Sequence, residues 1–447
     1  MFQLFAVAGY GFTLTDLMLV IIYSSVFYQF FFKKRKFSFP DFQIIFPLIG
    51  LIGAIIFSGF GLLTWGNTVT LIQFFKTFLH FTFVSFWGFV LLGAETKTDA
   101  YFKMIKVILY SSLVVNIYAI YQLFARIYDL PLSYIPITNQ QFLNRGFAIE
   151  YGEISQIVLK FENFYRATSI FSEPSTLAYF NVTNLIFMIV PGALKLKPFI
   201  EKRWVYILIL SFIVISLFLT FSLTGLSLII VFLLTLIIHT KIKFGKILVN
   251  FIYFILILLV SDTILSSFTQ ISVLDLFYQR VSGLVVPHKK GNSMITGESA
   301  PERISSFSNA MTLFQESPIV GIGIGNTYYH PKSNARFAQS TFFSFLSETG
   351  IIGIFFLLIL YFNLIRAGIF LKNNIYKFKD KDEKFSSVQS LGIYIAVLTV
   401  FGTMFISNTV ITASFWLSIG TLFAAYKSTK IAILKETSSK LLDNKID

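Results

Sequence analysis

Apolar runs of about 18 residues or more recur along almost the whole of this chain. Wound as a helix at about 1.5 Å per residue, each is long enough to cross the hydrocarbon of a bilayer. There, only a helix or a closed barrel satisfies its own backbone hydrogen bonds. Long unbroken runs, rather than alternating ones, select helices. The chain is therefore expected to be an all-α polytopic membrane protein with about eleven transmembrane helices. They fall near 13–32, 43–63, 69–92, 103–126, 174–191, 204–220, 222–238, 247–264, 341–365, 388–407 and 410–425. Composition agrees, since 13% of the residues are charged against about 25% in a soluble domain. Nothing resembling a linker separates domains, so 1–447 reads as a single transmembrane bundle.

The formal net charge is +14 at pH 7, a balance that in a soluble protein would suggest nucleic acid. Its distribution excludes that partner. Of the 36 lysines and arginines, 25 lie at one set of span ends or in the final tail, ten at the opposite set, and Lys76 within a span. The KKRK run at 33–36 and Lys195, Lys241, Arg366, Lys377 and Lys430 all belong to the first set. This bias orients the chain in a plasma membrane with its N-terminus outside and its C-terminus, including a tail at 426–447, in the cytoplasm. There is no cysteine, which removes disulfides, thiol nucleophiles and thiolate metal sites from consideration. The first residues lack the basic start of a cleaved signal peptide, so the first apolar segment is expected to direct insertion.

Two polar stretches remain outside, a first loop at 128–173 and a larger one at 266–340. A loop of the second length in so apolar a protein is a functional candidate. It is expected to hold an amphipathic helix from Pro301, with Ile304, Phe307, Met311 and Phe314 forming one stripe that lies on the membrane surface or caps the bundle. Arg303 then falls in the first turn, where a cation is disfavoured by the helix dipole unless a bound anion satisfies both. Arg166 and Arg280 are the other external arginines beside a span or helix start. The planar fork of arginine suits a diphosphate. Pro174 fits the first position of a helix with Ser172 or Glu173 as its cap. Gly321, Gly323 and Gly325 follow a helix rather than a strand, so they predict a tight turn and not a nucleotide loop. Glu348, a short way into the next apolar run, is an ionisable group at membrane depth and hence a candidate base or arginine partner. Lys76 and His80 share one helical face. His288 and His330 stand alone without metal-ligand spacing, so no metal and no cofactor is expected.

At these residues the sequence resembles the O-antigen polymerase and O-antigen ligase superfamily, the Wzy-type bacterial glycan polymerases and their ligase relatives. Four places carry the likeness: 166–178, with its Arg, Phe, Pro and small residues; 219–222, ending on Ser222; 303–325, with Arg303, Pro318, Gly321 and Gly323; and 346–353, with Leu346, Glu348, Gly350 and Gly353. Two departures stand out. Leu223 replaces the arginine that often follows the serine, and Gln339 and Ser340 stand where ligases carry a His-Asn pair. In ligases that histidine is thought to activate the acceptor hydroxyl. Glutamine cannot take up a proton, so the departure favours a polymerase; His330 would substitute only if the loop folds back.

The resemblance implies a GT-C-like, metal-independent membrane glycosyltransferase on the outer face of a bacterial plasma membrane. It would move a growing glycan from undecaprenyl diphosphate to an incoming lipid-linked oligosaccharide repeat unit, in the synthesis of a lipopolysaccharide O-antigen, capsule or similar polymer. Arg166, Arg280 and Arg303 are then expected to hold the diphosphate, with Glu348 or Glu173 activating the acceptor and Arg303 also serving catalysis. A chain-length regulator and a flippase of the same pathway are the implied partners. The rivals are an O-antigen or protein O-glycan ligase and a lipid-linked glycan transporter.

Overall fold

The computed structural model describes residues 3–7, 10–33, 41–93, 98–135, 160–161, 164–171, 173–240, scattered positions between 256 and 278, 299–334, 340–378, 382–406 and 413–443. Its helices in chain order are α1 Leu14–Phe31, α2 Phe42–Ser58, α3 Thr68–Gly93, α4 Thr98–Ile127, α5 Pro174–Ala193, α6 Arg203–Leu219 and α7 Leu223–Thr240. There follow α8 Ser299–Glu316, α9 Thr341–Asn374, α10 Glu383–Ser390, α11 Gly392–Phe401, ending in a π turn at Gly402–Ile406, and α12 Ala413–Asp443. The protein is an all-α polytopic membrane protein. Among the described residues seven helical stretches are long and apolar enough to cross a membrane, and Asp16–Phe31 and Arg203–Leu219 are shorter apolar helices. The expected span at 247–264 falls largely outside the described residues. The apolar run expected at 410–425 is the first half of α12, which continues as helix through Asp443.

Two small antiparallel ribbons add to the helices. Strand β1 Gln3–Val7 pairs with β2 Tyr10–Thr13, and β3 Lys160–Phe161 with β4 Phe164–Tyr165. Neither is large enough to change the class.

Apolar side chains cover much of the outside as well as filling the core. Phe57, Phe60, Leu63, Val107, Ile238 and Phe362 are exposed, while Ser58, Gln73, Ser112, Asn116, Asn184 and Thr399 are buried. Such a surface is stable only against lipid, and the polar groups find partners inside. Many do so on their own helix: Asn116 Nδ2 donates to the Ser112 carbonyl at 2.8 Å and Thr403 Oγ1 to that of Thr399 at 2.7 Å.

The chain divides into two compact units, interleaved in sequence. The first is Met1–Leu14, Val107–Ile189 and Ile200–Asn309; the second is Thr15–Lys106, Val190–Phe199 and Ala310–Asp447. In the first, a core of Ala119, Leu123, Ala167, Leu177, Phe218, Leu219 and Phe221 joins α4, α5 and α6. In the second, α9 packs against α2, α11 and α12, while α3 packs against α12. Small residues set these approaches. A Cβ added at Gly50 would strike the Phe356 ring, and one at Gly368 would meet the Ile393 backbone at 2.9 Å. Close helix contact of this kind drives association where lipid removes the hydrophobic effect.

Candidate active site

In the first unit the residues around Arg166 form a buried polar knot at the end of α6. Helix α6 stops at Leu219 and α7 starts at Leu223. A helix end leaves carbonyls without partners. Here Ala167 N–H donates to the Leu219 carbonyl at 3.0 Å and Arg166 Nε to the Thr220 carbonyl at 2.8 Å. A cation at this point also suits the negative end of the helix dipole. The turn itself uses Phe221 at φ +48°, and Ser222 Oγ accepts from Gly225 N–H at 3.3 Å to start α7. The short junction expected from the sequence is thus real. Its freed backbone groups are satisfied from the 166–168 segment as well as by its own serine and threonine.

Arg126, in the last turn of α4, holds that segment. Its Nη1 donates to the Arg166 carbonyl and Nη2 to Thr168 Oγ1, each at 2.8 Å, while Nε reaches the Ser133 carbonyl at 2.9 Å. Its guanidinium also lies 4.9 Å from the centroid of the Tyr134 ring. Thr168 Oγ1 in turn donates to Gln122 Oε1 at 3.2 Å. Arg126 and Arg166 are both buried, at 5% and 6% exposure. Sequence reasoning counted Arg126 as an outer flanking charge and missed this role. The available signal was its position one helical turn from Gln122, on the same face of an apolar helix.

Pro174 occupies the first position of α5, as expected, with Glu173 immediately before it. The Glu173 carboxylate accepts from Ser175 Oγ at 3.0 Å and its carbonyl accepts from Thr176 N–H at 3.2 Å. The start of α5 therefore carries an anion of its own, which favours the dipole there.

Arg303 lies on α8, but the helix begins at Ser299 rather than Pro301, so Arg303 stands beyond the first turn. The dipole effect fades within the first turn, which weakens the electrostatic case for an anion there. Its side chain, like Arg280 and Gln339, lies outside the described residues. Of the expected apolar stripe of α8, Phe307 and Phe314 are half-buried and the other two members face outward. Ile304 and Met311 are exposed, whereas Ser306, Asn309, Ala310 and Leu313 on the opposite face are buried. The outward edge of the stripe is compatible with a helix lying on the membrane surface, and the protein packs the small and polar face.

Glu348 belongs to the second unit and sits at a break in α9. Gly350 has φ +62° and ψ −160°, so the helix stops there and restarts. The expectation of Glu348 inside one continuous span is corrected accordingly: it ends a short leading helix, capped at Ser340, whose Oγ accepts from Phe343 N–H at 3.2 Å. The break frees donors at Ile351 and Ile352 and acceptors at Ser347 and Glu348. The segment 318–323 satisfies all four. Ile322 N–H donates to the Ser347 carbonyl at 3.0 Å and Gly323 N–H to that of Glu348 at 3.1 Å. In return Ile351 N–H reaches the Pro318 carbonyl at 2.9 Å and Ile352 N–H that of Ile319 at 3.4 Å. This pairing requires the glycine run, with φ of +78°, +94° and +76° at Gly321, Gly323 and Gly325. The tight turn read from the sequence is present, and what it turns around is Glu348.

The turn also brings the partner of the carboxylate. Thr327 Oγ1 donates to Glu348 Oε1 at 2.7 Å, with Glu348 4% and Thr327 2% exposed. Thr327 was not anticipated from the sequence, because only the folded turn carries it back to Glu348. Beyond it, His330 is buried with its ring centroid 4.6 Å from that of Trp65. Its Nδ1 accepts from Lys332 N–H at 3.3 Å, and burial pushes its pKa below the ordinary histidine value. Of the paired Lys76 and His80, only His80 is buried. Among the named candidates, Arg166 and Glu173, with the backbone of Arg303, fall in the first unit, and Glu348 in the second.

A multispan bundle in which a glycine turn folds back on a broken, glutamate-bearing helix defines a membrane protein with a built polar site. Its residues 207–358 match the Wzy_C family model, described as O-antigen ligase. The matched segment contains Arg280, Arg303, the glycine turn and Glu348; Arg166 and Glu173 precede it. None of the curated proteins matches the chain.

Proposed function

We propose that this protein is a polysaccharide polymerase, transferring a growing glycan from undecaprenyl diphosphate to the hydroxyl of an incoming lipid-linked repeat unit on the outer face of the plasma membrane. The observation that supports glycan transfer is the family match over 207–358, which contains the turn and broken helix built around Glu348. In the reaction the acceptor oxygen bonds to the anomeric carbon, the bond from that carbon to the diphosphate breaks, and the acceptor proton passes to a base. The leaving group is already a good one and chiefly needs charge stabilisation. Arg166, Arg280 and Arg303 are assigned to it, and Glu348, with Glu173 as the other carboxylate, to the proton. The reading that the donor is polyprenyl-linked, that a chain-length regulator and flippase cooperate, and that no metal takes part rests on the resemblance.

The family's description as O-antigen ligase favours a second reading, a ligase. Gln339, standing where ligases carry histidine, supports the polymerase instead. Purified protein incubated with its lipid-linked repeat unit alone separates the two. A ladder of products differing by one repeat supports polymerisation. Transfer only after a different acceptor is added makes it a ligase.

A further inference from the structure

At the opposite end of the second unit from the glycine turn, three helices leave a small, shallow cleft. It is lined by Asp41, Gln43 and Ile44 at the start of α2, by Asn363, Arg366 and Ala367 on α9, and by Phe423 and Tyr426 on α12. Two cations meet one carboxylate there. Lys430 Nζ pairs with Asp41 Oδ2 at 2.7 Å, whereas Arg366 Nη1 donates only to the neutral Gln43 Oε1, at 3.2 Å. Asn363 Nδ2 donates to the Gln43 carbonyl at 2.6 Å and fixes the mouth of the cleft. Among the described residues Arg366 has no carboxylate partner, and Lys430 next to it is a second positive charge.

The height of the cleft matters as much as its charge. From the break at Gly350 to Arg366 the helix rises roughly 24 Å at about 1.5 Å per residue, close to a bilayer's hydrocarbon thickness of about 30 Å. Arg366 therefore lies where the apolar part of α9 gives way to the headgroup region. Beside it Phe42, Phe46 and Phe362 are exposed, and Phe46 meets Phe356 edge-to-face at 5.5 Å. A soluble anion has no use for those rings. An amphiphile uses both parts. Basic pockets between transmembrane helices at this level suit phosphate headgroups, and a planar guanidinium matches two phosphate oxygens.

We infer that the cleft between α2, α9 and α12 is a binding site for an anionic phospholipid, its phosphate held by Arg366 and Lys430 and its acyl chains lying along Phe46 and Phe362. The site is independent of the glycan chemistry proposed above.

The test uses the purified, delipidated full chain. Phosphatidylglycerol, phosphatidylcholine with the same acyl chains, and inorganic phosphate are titrated separately, reading lipid retention by native mass spectrometry and the shift in unfolding temperature. Phosphatidylglycerol is expected to bind and raise the unfolding temperature, with little effect from the other two. Arg366→Gln should weaken its binding on the order of tenfold, the equivalent of one charge-assisted phosphate contact. Lys377→Gln, an exposed lysine beyond the end of α9, should leave it unchanged. Equal binding by wild type and Arg366→Gln overturns the assignment. So does an equal response to inorganic phosphate, or equal losses in Arg366→Gln and Lys377→Gln, which would mean diffuse surface charge. Should Arg366→Gln fail to fold, Lys430→Gln reads the same site, and unaltered phosphatidylglycerol binding there is equally fatal.

Discussion

Replacing Gly321 by alanine tests the construction of the glycine turn, because two independent penalties fall on one methyl group. At φ +78° an L-residue meets its own following carbonyl, at a cost of about 1–2 kcal/mol. The added Cβ would also lie against the carbonyl carbon and oxygen of Glu348 and the nitrogen of Thr349. These are backbone atoms and cannot rotate away, so overpacking adds about 1–3 kcal/mol. The sum is roughly 2–5 kcal/mol, a large share of a typical stability of about 5–15 kcal/mol. Gly53, within α2, is the control, since a Cβ there meets nothing within 4 Å. Gly53→Ala should stabilise by about 0.5–1 kcal/mol, the ordinary helix preference for alanine over glycine. Equilibrium unfolding in mixed micelles, followed by tryptophan fluorescence, measures both. If Gly321→Ala falls within about 0.5 kcal/mol of wild type, the close approach of the turn to Glu348 is wrong.

Further predictions concern the side chains around the two polar knots. Thr327→Val removes the hydroxyl that donates to Glu348 Oε1 at 2.7 Å; at about 1.5–3 kcal/mol for a hydrogen bond to a charged group, transfer should fall about 10- to 100-fold, with Thr327→Ser largely retaining it. Unchanged turnover in Thr327→Val would detach that bond from catalysis. Arg126→Gln loses contacts to the Ser133 and Arg166 carbonyls and to Thr168; it should destabilise by about 2–5 kcal/mol, the cost of breaking a buried charged network. Arg126→Lys should rescue it poorly, since one ammonium cannot span the three directions, and full rescue would refute the geometry. His330 has its pKa lowered by burial, so the folded state resists its protonation. Its neutral form therefore contributes stability above the unfolded-state value of about 6.5, and that contribution declines as pH falls below it. His330→Gln should flatten the decline between wild-type stabilities measured at pH 7.5 and 5.5; an identical slope in both proteins would remove His330 as its source.

The spans were legible because an unbroken apolar run of bilayer length admits one structure. The limits of α5 and α7 lie within about two residues of those expected. The glycine turn was legible as well, since three alternating glycines after a helix point to positive φ. The break at Gly350 was not. The run from 341 to 365 reads as one span of bilayer length, and only the pairing of 318–323 with the freed backbone makes a stop there affordable. Arg126 was concealed by success elsewhere, because counting it among flanking charges served the orientation rule and left its hydrogen bonds unconsidered. Arg166 stood out in the sequence as a candidate, yet its bond to the Thr220 carbonyl depends on where α6 ends, which spacing alone does not reveal.

The central claim is that glycan transfer releases a polyprenyl diphosphate. Reconstituted protein given a radiolabelled lipid-linked repeat unit should form lengthened glycan and free undecaprenyl diphosphate in equal amounts, one released for each new linkage. Glu348→Gln, expressed and folded as wild type, should lose both products together. Movement of the intact lipid-linked unit across the membrane with no diphosphate released would contradict the account and make the protein a transporter.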